Sequence, residues 1–561
     1  MDKRDFLTGK KTKKSNVISF ASPSRTSSGL NPYTGLWTTN EVIHLLKRTM
    51  FGAKKTDIDF FSAMSVTQAV NYLLNVSTAQ TQPTPPLKNY ANSVTITDLD
   101  NNVVSGQTWV NTNTADGTVN SNRINSFKNW WLGQMINQER NILEKLTLFW
   151  SNHFSTEADT VSNAIWSYQT NATIRANALG NFKTFVKAIT LDVGMLRYLN
   201  GYANYAAAPD ENYGRELQEL FTVGKGANNA TPPYSEADVK AAARLLTGWQ
   251  INSTTNTSYF TASRHDTAGK QFSSFYNNTI IAGRSGATAG DMELNDLLSM
   301  IFATNEVAMT ICRKLYRWFV YYTIDATIEA NVITPLAQIF INSNYDIKTV
   351  LSALFKSEHF FDVQNQSCII KSPVDNVVSV CREFNVQFPV ATDYVGNYNC
   401  FQSLNSIAIA QNQNIGDPPN VAGWSPYYQE PQFHEIWINS DTFPKRNQFT
   451  DQMLGTGYTR NSANIKIDAI SFAKTLPNPG DPNLLISDSI KYLLRLPLLQ
   501  SSMDQLKKDI ILSGQITDSY WTTAWQAYLA NPADTTNANI VKTRLTSLYQ
   551  YLLKLPEFQL S

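Results

Sequence analysis

The stretch INSFKNWWLGQMINQERNILEKLTL, residues 124–148, gives the strongest indication of the fold. Its aromatic and aliphatic residues recur at helical spacing, among them Trp130, Trp131, Met135 and Ile136. Because this spacing gathers apolar side chains on one side of a helix, the stretch predicts helical structure that packs against a buried core.

Similar patterns extend in both directions from this stretch. Upstream, Thr38 and Glu41 have the spacing of a capping box, which marks the start of a helix. Downstream, helical patterns recur near residues 172–190, 211–223, 235–249, 291–320, 328–342 and 346–357, and again toward the C-terminus. Strand patterns never alternate regularly with helical ones, which argues against a parallel α/β sheet. The sequence therefore predicts a mainly α, multi-helix globular array with long irregular loops and at most a small β-hairpin.

No linker divides the chain, so we expect a single helical domain over residues 31–561. A polar insertion at about 79–122 is rich in Thr, Asn, Pro and Asp, and its Val94-Thr95-Ile96-Thr97 alternates as in a small hairpin. Residues at about 250–290 and 386–450 are dense in Asn, Ser, Tyr, Gly and Pro, which predicts two long loops. Loops of that length in a compact domain usually carry function.

Residues 1–30 are predicted to be a disordered basic tail or a degenerate export leader. Lys3-Arg4 resembles the head of a twin-arginine signal, but residues 8–14 are polar and basic where an apolar segment should follow. A working leader would place the protein in the periplasm or at the cell surface. A leader that does not function would leave it in the cytoplasm.

Composition narrows the class of protein. Lys plus Arg number 46 against 45 Asp plus Glu, so the overall basic footprint of a nucleic-acid-binding protein is absent. Only 16% of residues are charged, and the polarity supplied instead by Asn, Thr, Ser, Gln and Tyr is common in secreted and cell-surface bacterial proteins. No run approaches the roughly 18 apolar residues that a transmembrane helix requires.

Several familiar signatures are missing from the sequence. The chain has no G-x-S-x-G, H-E-x-x-H, Walker A or G-x-G-x-x-G motif, so the common hydrolase, zincin, P-loop and dinucleotide-binding classes lose support. Its four cysteines form no C-x-x-C pair, which leaves scattered thiols and disulfides both open. No haem, flavin or nucleotide cofactor has support, and a divalent metal is the cofactor that the polar clusters allow.

The first polar cluster is Asn152-His153, which follows Trp150 at the end of a predicted helix. A histidine at a helix C-terminus is favoured by the helix dipole alone, so capping or packing competes with a role in a site.

The second cluster lies in residues 210–224. If the segment is helical, Asn212, Arg215, Glu216 and Glu219 share one face. Two carboxylates, an amide and a guanidinium on one face suit a divalent cation, a positioned water or a hydroxylated substrate. The alternative is a solvated face on which Arg215 pairs with Glu219.

Two further clusters lie later in the chain. His265-Asp266 with Lys270 sits in the predicted loop 250–290, where a histidine and a carboxylate supply a metal ligand or an acid–base group and a lysine binds an anion. Arg313 and Lys314 form a basic strip on an aromatic helix, and we expect them to neutralise buried carboxylates such as those of residues 211–219.

The fifth cluster is the turn at residues 416–424, where Pro and Gly residues precede Trp424. A presented Trp424 would suit sugar stacking or the pocket of a partner. The alternative is a tryptophan that fills the core under a loop.

Taken in order, these clusters resemble the bacterial family catalogued as domain of unknown function 1800. The resemblance covers the chain from about residue 40 and rests on motifs at 44–52, 144–154, 211–222, 243–249, 265–270, 313–315, 357–361, 371–373 and 418–424. It implies a helical protein of a family that is often exported, frequently with a twin-arginine leader. It carries no established activity, and this chain departs from the family in its leader.

Two functions remain open on the sequence. In the first, the protein is an exported binding or assembly protein, whose partner is another protein or an extracellular polymer. In the second, it is a metal-assisted hydrolase or transferase acting on an extracellular polymer, sugar or ester. The second predicts that His153, Glu216 and His265 hold the metal, and that Arg215, Glu219, Asp266 and Lys270 complete the catalytic set. Asn152, Asn212, Arg313, Lys314 and Trp424 are the predicted binding residues.

Overall fold

Helices dominate the structure, a computed structural model that describes residues 25–90, 97–226, 232–424 and 435–561. The predicted mainly α fold is confirmed. The helices of the N-terminal half are α1 (Thr39–Thr49), α2 (Lys55–Ser62), α3 (Val66–Leu73), α4 (Thr78–Thr81), α5 (Gly117–Ile136), α6 (Leu143–His153), α7 (Ala158–Val161), α8 (Ala164–Asn177), α9 (Phe182–Thr190), α10 (Val193–Tyr198), α11 (Asn212–Glu216), which continues as the π-helical turn Leu217–Phe221, and α12 (Glu236–Leu245).

The C-terminal half continues the same architecture. Its helices are α13 (Ala289–Phe302), α14 (Asn305–Phe319), α15 (Ala326–Ile328), α16 (Thr334–Asn342), α17 (Ile347–Phe355), α18 (Glu358–Phe361), α19 (Pro373–Glu383), α20 (Tyr394–Ala410), α21 (Thr442–Leu454), α22 (Ala469–Ala473), α23 (Pro482–Leu493), α24 (Gln500–Leu506), α25 (Ser519–Ala530) and α26 (Thr535–Lys554). Within the described part of the chain, no helix is long and apolar enough to cross a membrane.

The described strands form three antiparallel hairpins, where the sequence predicted at most one. They are β1 (Trp249–Asn252) with β2 (Thr257–Phe260), β3 (Lys270–Gln271) with β4 (Ile280–Ile281), and β5 (Tyr458–Arg460) with β6 (Ala463–Ile465). Two of them occupy the segment 250–290 that was predicted to be a loop. Strands of two to four residues are too short to give a clear alternation, which is why the sequence pattern missed them.

The predicted loop at 386–450 also needs correction, because α20 and much of α21 lie within it. Helix α20 is rich in Asn and Ser, yet Asn399 and Asn405 are buried beside Phe401 and Leu404. Buried amides on a helix that packs on several sides hide the usual two-faced pattern.

Residues 124–148 belong to two helices. Helix α5 ends at Ile136 and α6 begins at Leu143. Gly133 allows α5 to pack closely against α20, since a Cβ atom there would lie 2.6 Å from Phe401 Cε2. The predicted capping box at Thr38 and Glu41 is present at the start of α1.

The buried side chains form two hydrophobic clusters. One gathers α1–α3, α6 and most of the helices from α9 to α18, and the other gathers α5 and the helices from α19 onward. Trp318 and Tyr492 pack against both clusters. The single domain over 31–561 stays a prediction. The predicted tail at 1–30 lies mostly outside the described residues, as does Val94-Thr95-Ile96 of the predicted insertion hairpin.

Candidate functional site

His153 ends α6 and is buried among aromatic rings. Its Nε2 donates to Phe221 O at 3.2 Å, and its Nδ1 lies 3.0 Å from Lys314 Nζ. Burial, with Lys314 nearby, lowers the pKa of His153 well below its usual range, so the ring is neutral and Nδ1 accepts from the ammonium. Both ring nitrogens are therefore engaged within the protein.

Lys314, a predicted binding residue, contacts a backbone carbonyl near the end of the segment 210–224 rather than one of its carboxylates. Its Nζ donates to Leu220 O at 2.7 Å as well as contacting His153. Burial and the nearby Arg317 lower the pKa of Lys314 to about 7. Arg313 pairs with the carboxylate of Glu329, with Nε 3.0 Å from Oε1, and this carboxylate lies outside residues 211–219.

The polar face of α11 is held by ion pairs to neighbouring segments. Arg215 binds Glu236 through two bonds of 2.7 Å and lies 3.2 Å from Glu211, rather than pairing with Glu219. Glu219 pairs instead with Lys225 at 2.5 Å. Asn212 has a long contact of 3.5 Å from its amide to Leu199 O.

Glu216 differs from its neighbours on this face. Burial and the adjacent Glu219 raise the pKa of Glu216 to about 7. The hydroxyl of Tyr234 lies in the same electrostatic environment, since burial and then the charges of Glu219 and Glu216 raise its pKa. A half-buried carboxyl group that titrates near neutrality suits proton transfer. The same raised pKa also arises wherever two carboxyl groups are packed close together, without any role in catalysis.

His265 and Lys270 meet on a carboxylate that sequence reasoning missed. His265 Nε2 lies 3.1 Å from Glu293 Oε1, and Lys270 Nζ lies 2.7 Å from Glu293 Oε2. The three side chains have no solvent exposure. Glu293 lies on α13, more than twenty residues along the chain, so no local spacing signalled it.

The remaining contacts of this cluster bind the hairpin β3–β4 to helices. His265 Nδ1 lies 2.9 Å from Thr247 O, and Asp266 pairs with Arg244 of α12 at 2.6 Å. The set is closed, because each charged group has a partner within the chain.

The predicted metal ligands are not brought together as a set. Within residues 25–90, 97–226, 232–424 and 435–561, no group of three or more His, Cys, Asp or Glu side chains is arranged to hold a metal ion. His153 contacts Lys314, Glu216 lies beside Glu219, and His265 contacts Glu293.

Asn152 and Trp424, two predicted binding residues, do meet. Trp424 N donates to Asn152 Oδ1 at 2.8 Å. Gly423 has φ +87°, and a Cβ atom there would lie 2.2 Å from Asn152 Oδ1, so only glycine fits this approach. Trp424 is 6% exposed, which places it inside the protein rather than on a presented turn.

Trp424 forms a wall of a cavity of about 40 Å³, room for about three water molecules. We call it the tryptophan-lined cavity. Its lining residues are Lys47, Arg48, Lys145, Asn152, Trp318, Ile369, Ile370, Ser372, Asp375, Gln413, Trp424, Trp437 and Ser561. Trp424 and Trp437 belong to the second hydrophobic cluster, and Trp318 packs against both clusters.

The amides and cations of this cavity are spaced far apart in the sequence. The Oε1 atom of Gln413 accepts a hydrogen bond from Val374 N at 2.9 Å. The N–H groups of the Gln413 side chain are therefore the ones that could donate to a ligand. Lys47, Arg48 and Lys145 were not singled out from the sequence as site residues. Their only signal was their place in the motifs at 44–52 and 144–154.

The fold and the cavity define a mainly helical protein with a partly open polar and aromatic cavity. The chain belongs to the family described as "Protein of unknown function (DUF1800)", whose family model matches residues 44–560. Searches of curated proteins and of solved structures give no match.

Proposed function

We propose that the protein is a binding protein, and that the tryptophan-lined cavity receives a small group carried by an extracellular polymer. The observation that carries this proposal is that Asn152, Gln413 and three indole rings line one cavity. Ligand sites in proteins are concave, largely aromatic and apolar, with a few placed polar groups.

The size of the cavity limits what it receives. A volume of about 40 Å³ holds a few atoms rather than a whole sugar ring. The indoles of Trp318, Trp424 and Trp437 supply rigid apolar walls, and such amphipathic rings are favoured where a ligand is partly desolvated. A substituent of a polymer therefore fits better than a complete small metabolite.

The contacts of the predicted catalytic residues support binding rather than metal-assisted catalysis. His153, Arg215 and Lys270 each make hydrogen bonds or ion pairs that join separate segments of the chain. Groups used in this way stabilise the fold, and removing one partner of a buried pair is costly.

The test is a titration of the purified protein with dextran, alginate and dextran sulfate, followed by tryptophan fluorescence. We expect saturable quenching by at least one polymer. Trp424→Phe should weaken it at least about tenfold, the effect of losing about 1.4 kcal/mol of contact. Trp525→Phe is the matched control, because Trp525 is equally buried on α25 but does not line the cavity. Quenching that both variants leave unchanged would contradict the proposal. If the protein bound a protein partner and none of the polymers, the proposed polymer ligand would be wrong.

The alternative, a metal-assisted hydrolase or transferase, is favoured by one observation: the pKa of Glu216 is raised to about 7. Its test is the metal content of native protein beside His153→Ala and Glu216→Ala. Near-stoichiometric metal that both folded variants lose would favour the enzyme. Metal that survives in either variant would count against a shared site.

We also propose export to the periplasm or cell surface. The low charged fraction of 16% and the Lys3-Arg4 pattern support it. Fractionation of cells making the wild type and the Lys3→Ala/Arg4→Ala double variant tests this. The wild type is expected outside the cytoplasm and the variant inside it, and a wild type retained in the cytoplasm would refute export.

A further inference from the structure

Cationic side chains surround the tryptophan-lined cavity and outnumber the carboxylates beside them. Lys47, Arg48 and Lys145 line it directly. Lys371 and Arg495 interact electrostatically with these lining cations, and Arg446 interacts with Lys371. The described carboxylates that interact with this set of cations are Asp375, Glu383 and Glu41. The local charge is therefore positive.

Two of the lining cations are satisfied by carboxylates. Lys47 Nζ lies 2.9 Å from Glu383 Oε1, and Lys145 pairs with Asp375. Asp375 lines the cavity, whereas Glu383 is not among its lining residues. Neither of these two carboxylates pairs with the third lining cation.

Arg48 is that third cation. Its Nη2 donates to Asn365 O at 2.9 Å and contacts Cys368 Sγ at 3.1 Å. Its Nε and Nη1 are buried without a hydrogen-bond partner in the described part of the chain, and the residue is only 2% exposed.

Lys371 adds a second buried cation beside the wall, between the lining residues Ile370 and Ser372. Its Nζ lies 3.9 Å from the centre of the Phe558 ring and has no hydrogen-bond partner among the described residues. Burial, and then the charge of Lys47, lowers the pKa of Lys371 to about 7. The same residue would hold its proton more firmly if a negative charge lay nearby.

Unpaired buried cations are unfavourable for the folded protein, because an ion taken out of water loses its hydration without a compensating partner. A bound anion would supply that partner. Indole walls that exclude water would strengthen the attraction, since the local dielectric constant is low. The unpartnered Nε and Nη1 of Arg48 carry N–H groups that the oxygens of an oxyanion would accept.

We propose that the tryptophan-lined cavity is an oxyanion site, and that the group it receives is a carboxylate, sulfate or phosphate held by Arg48. This inference rests on the proposed binding function and names the chemistry of its ligand. The cations behind the wall raise the positive potential of the site. The amide of Gln413 is placed to donate to a ligand oxygen.

Isothermal titration calorimetry of the full chain tests the inference with sodium sulfate, phosphate and acetate, against sodium chloride at equal ionic strength. Sulfate stabilises proteins generally by exclusion from their surface, so the informative signal is saturable heat rather than thermal stability. We expect at least one oxyanion to bind saturably. Arg48→Met should weaken that binding at least about tenfold. Lys542→Met removes one positive charge from an exposed position on α26 and should leave it unchanged.

A second arm separates the free anion from the same group on a polymer. Dextran sulfate and dextran differ only in the sulfate group. Binding of dextran sulfate alone, weakened by Arg48→Met, would support the inference with a polymer as the source. If Arg48→Met does not fold, Arg48→Lys keeps the charge, loses the planar fork and should still weaken binding.

The outcomes also separate this inference from the proposed function. If dextran binds, is weakened by Trp424→Phe and is unaffected by Arg48→Met, the oxyanion site is overturned and the binding function stands. Anion binding that Arg48→Met leaves unchanged also overturns the oxyanion site. If no probe binds in a manner that depends on Trp424 or on Arg48, both are overturned.

Discussion

Gly423 is the residue on which the wall of the tryptophan-lined cavity depends most directly. Its positive φ and its 2.2 Å approach to Asn152 Oδ1 leave no room for a Cβ atom. We expect Gly423→Ala to lower the free energy of unfolding by about 1–3 kcal/mol, through backbone strain and displacement of Asn152. Urea denaturation measures this change.

The control for Gly423→Ala is Gly117→Ala at the first position of α5, where a Cβ atom would meet nothing within 4 Å. That change should be neutral or stabilising by up to about 1 kcal/mol. Equal destabilisation by both substitutions would show that the approach to Asn152 is unimportant.

Glu216 offers a second prediction at the scale of the residue. Because its folded pKa of about 7 lies above the usual glutamate value of 4.5, the folded state binds more protons between these values, and stability falls as pH rises through this window. Glu216→Gln should remove this fall in stability with rising pH. We expect a gain of about 1–2 kcal/mol at pH 8 and little change at pH 4.5, after discounting for partial exposure.

Denaturant titrations at pH 4.5, 6 and 8 measure the effect of Glu216→Gln. Glu236→Gln is the matched control, because Arg215 holds the pKa of Glu236 below its usual range and the sign of its contribution is opposite. A wild type and Glu216→Gln variant with parallel pH profiles would exclude a raised pKa at Glu216.

At the scale of the element, the buried group of His265, Lys270 and Glu293 joins the hairpin β3–β4 to α13. Lys270→Met would leave Glu293 short of a positive partner in a site without solvent exposure. We expect a loss of about 3–5 kcal/mol in the free energy of unfolding. Hydrogen exchange should report the loss first at residues 270–281.

The comparison for Lys270→Met is Lys445→Met, which breaks an exposed pair with Asp441 on α21. Such surface pairs are worth at most about 1 kcal/mol. If the two variants lost similar stability, the group around Glu293 would not be holding the hairpin in place.

At the scale of the whole molecule, two buried lysines influence stability together. The pKa values of Lys314 and Lys371 are lowered to about 7 from 10.5, so the unfolded chain binds more protons between pH 7 and 10.5. Stability should therefore rise as pH increases from 7 to 9, by about 1 kcal/mol per pH unit for each lysine at most.

Urea unfolding of the wild type and Lys314→Met at pH 7 and 9 checks this rise. Lys314→Met should show the smaller increase, because one of the two titrating groups is gone. Lys542→Met, an exposed lysine, should keep the wild-type increase. A wild type that loses stability over this range would contradict the prediction.

Much of the helical architecture could be read from local pattern, whereas the partners of its charged residues could not. The capping box at Thr38 is a contact three residues apart, so spacing predicts it. Glu293 meets His265 and Lys270 from another helix, and Arg48 reaches Asn365 more than 300 residues away. No periodicity within a short window encodes such distances.

The sequence by itself determined the mainly helical fold, the family and the polar residues worth inspecting, because periodicity, capping and ordered motifs are local properties of the chain. Only the tertiary structure decided which of those residues meet. It separated His153, Glu216 and His265 into different surroundings, and it buried Trp424 beside Asn152 and Arg48. The physical reason is that burial and charge pairing depend on packing between distant segments, which changes both solvation and the choice of partner.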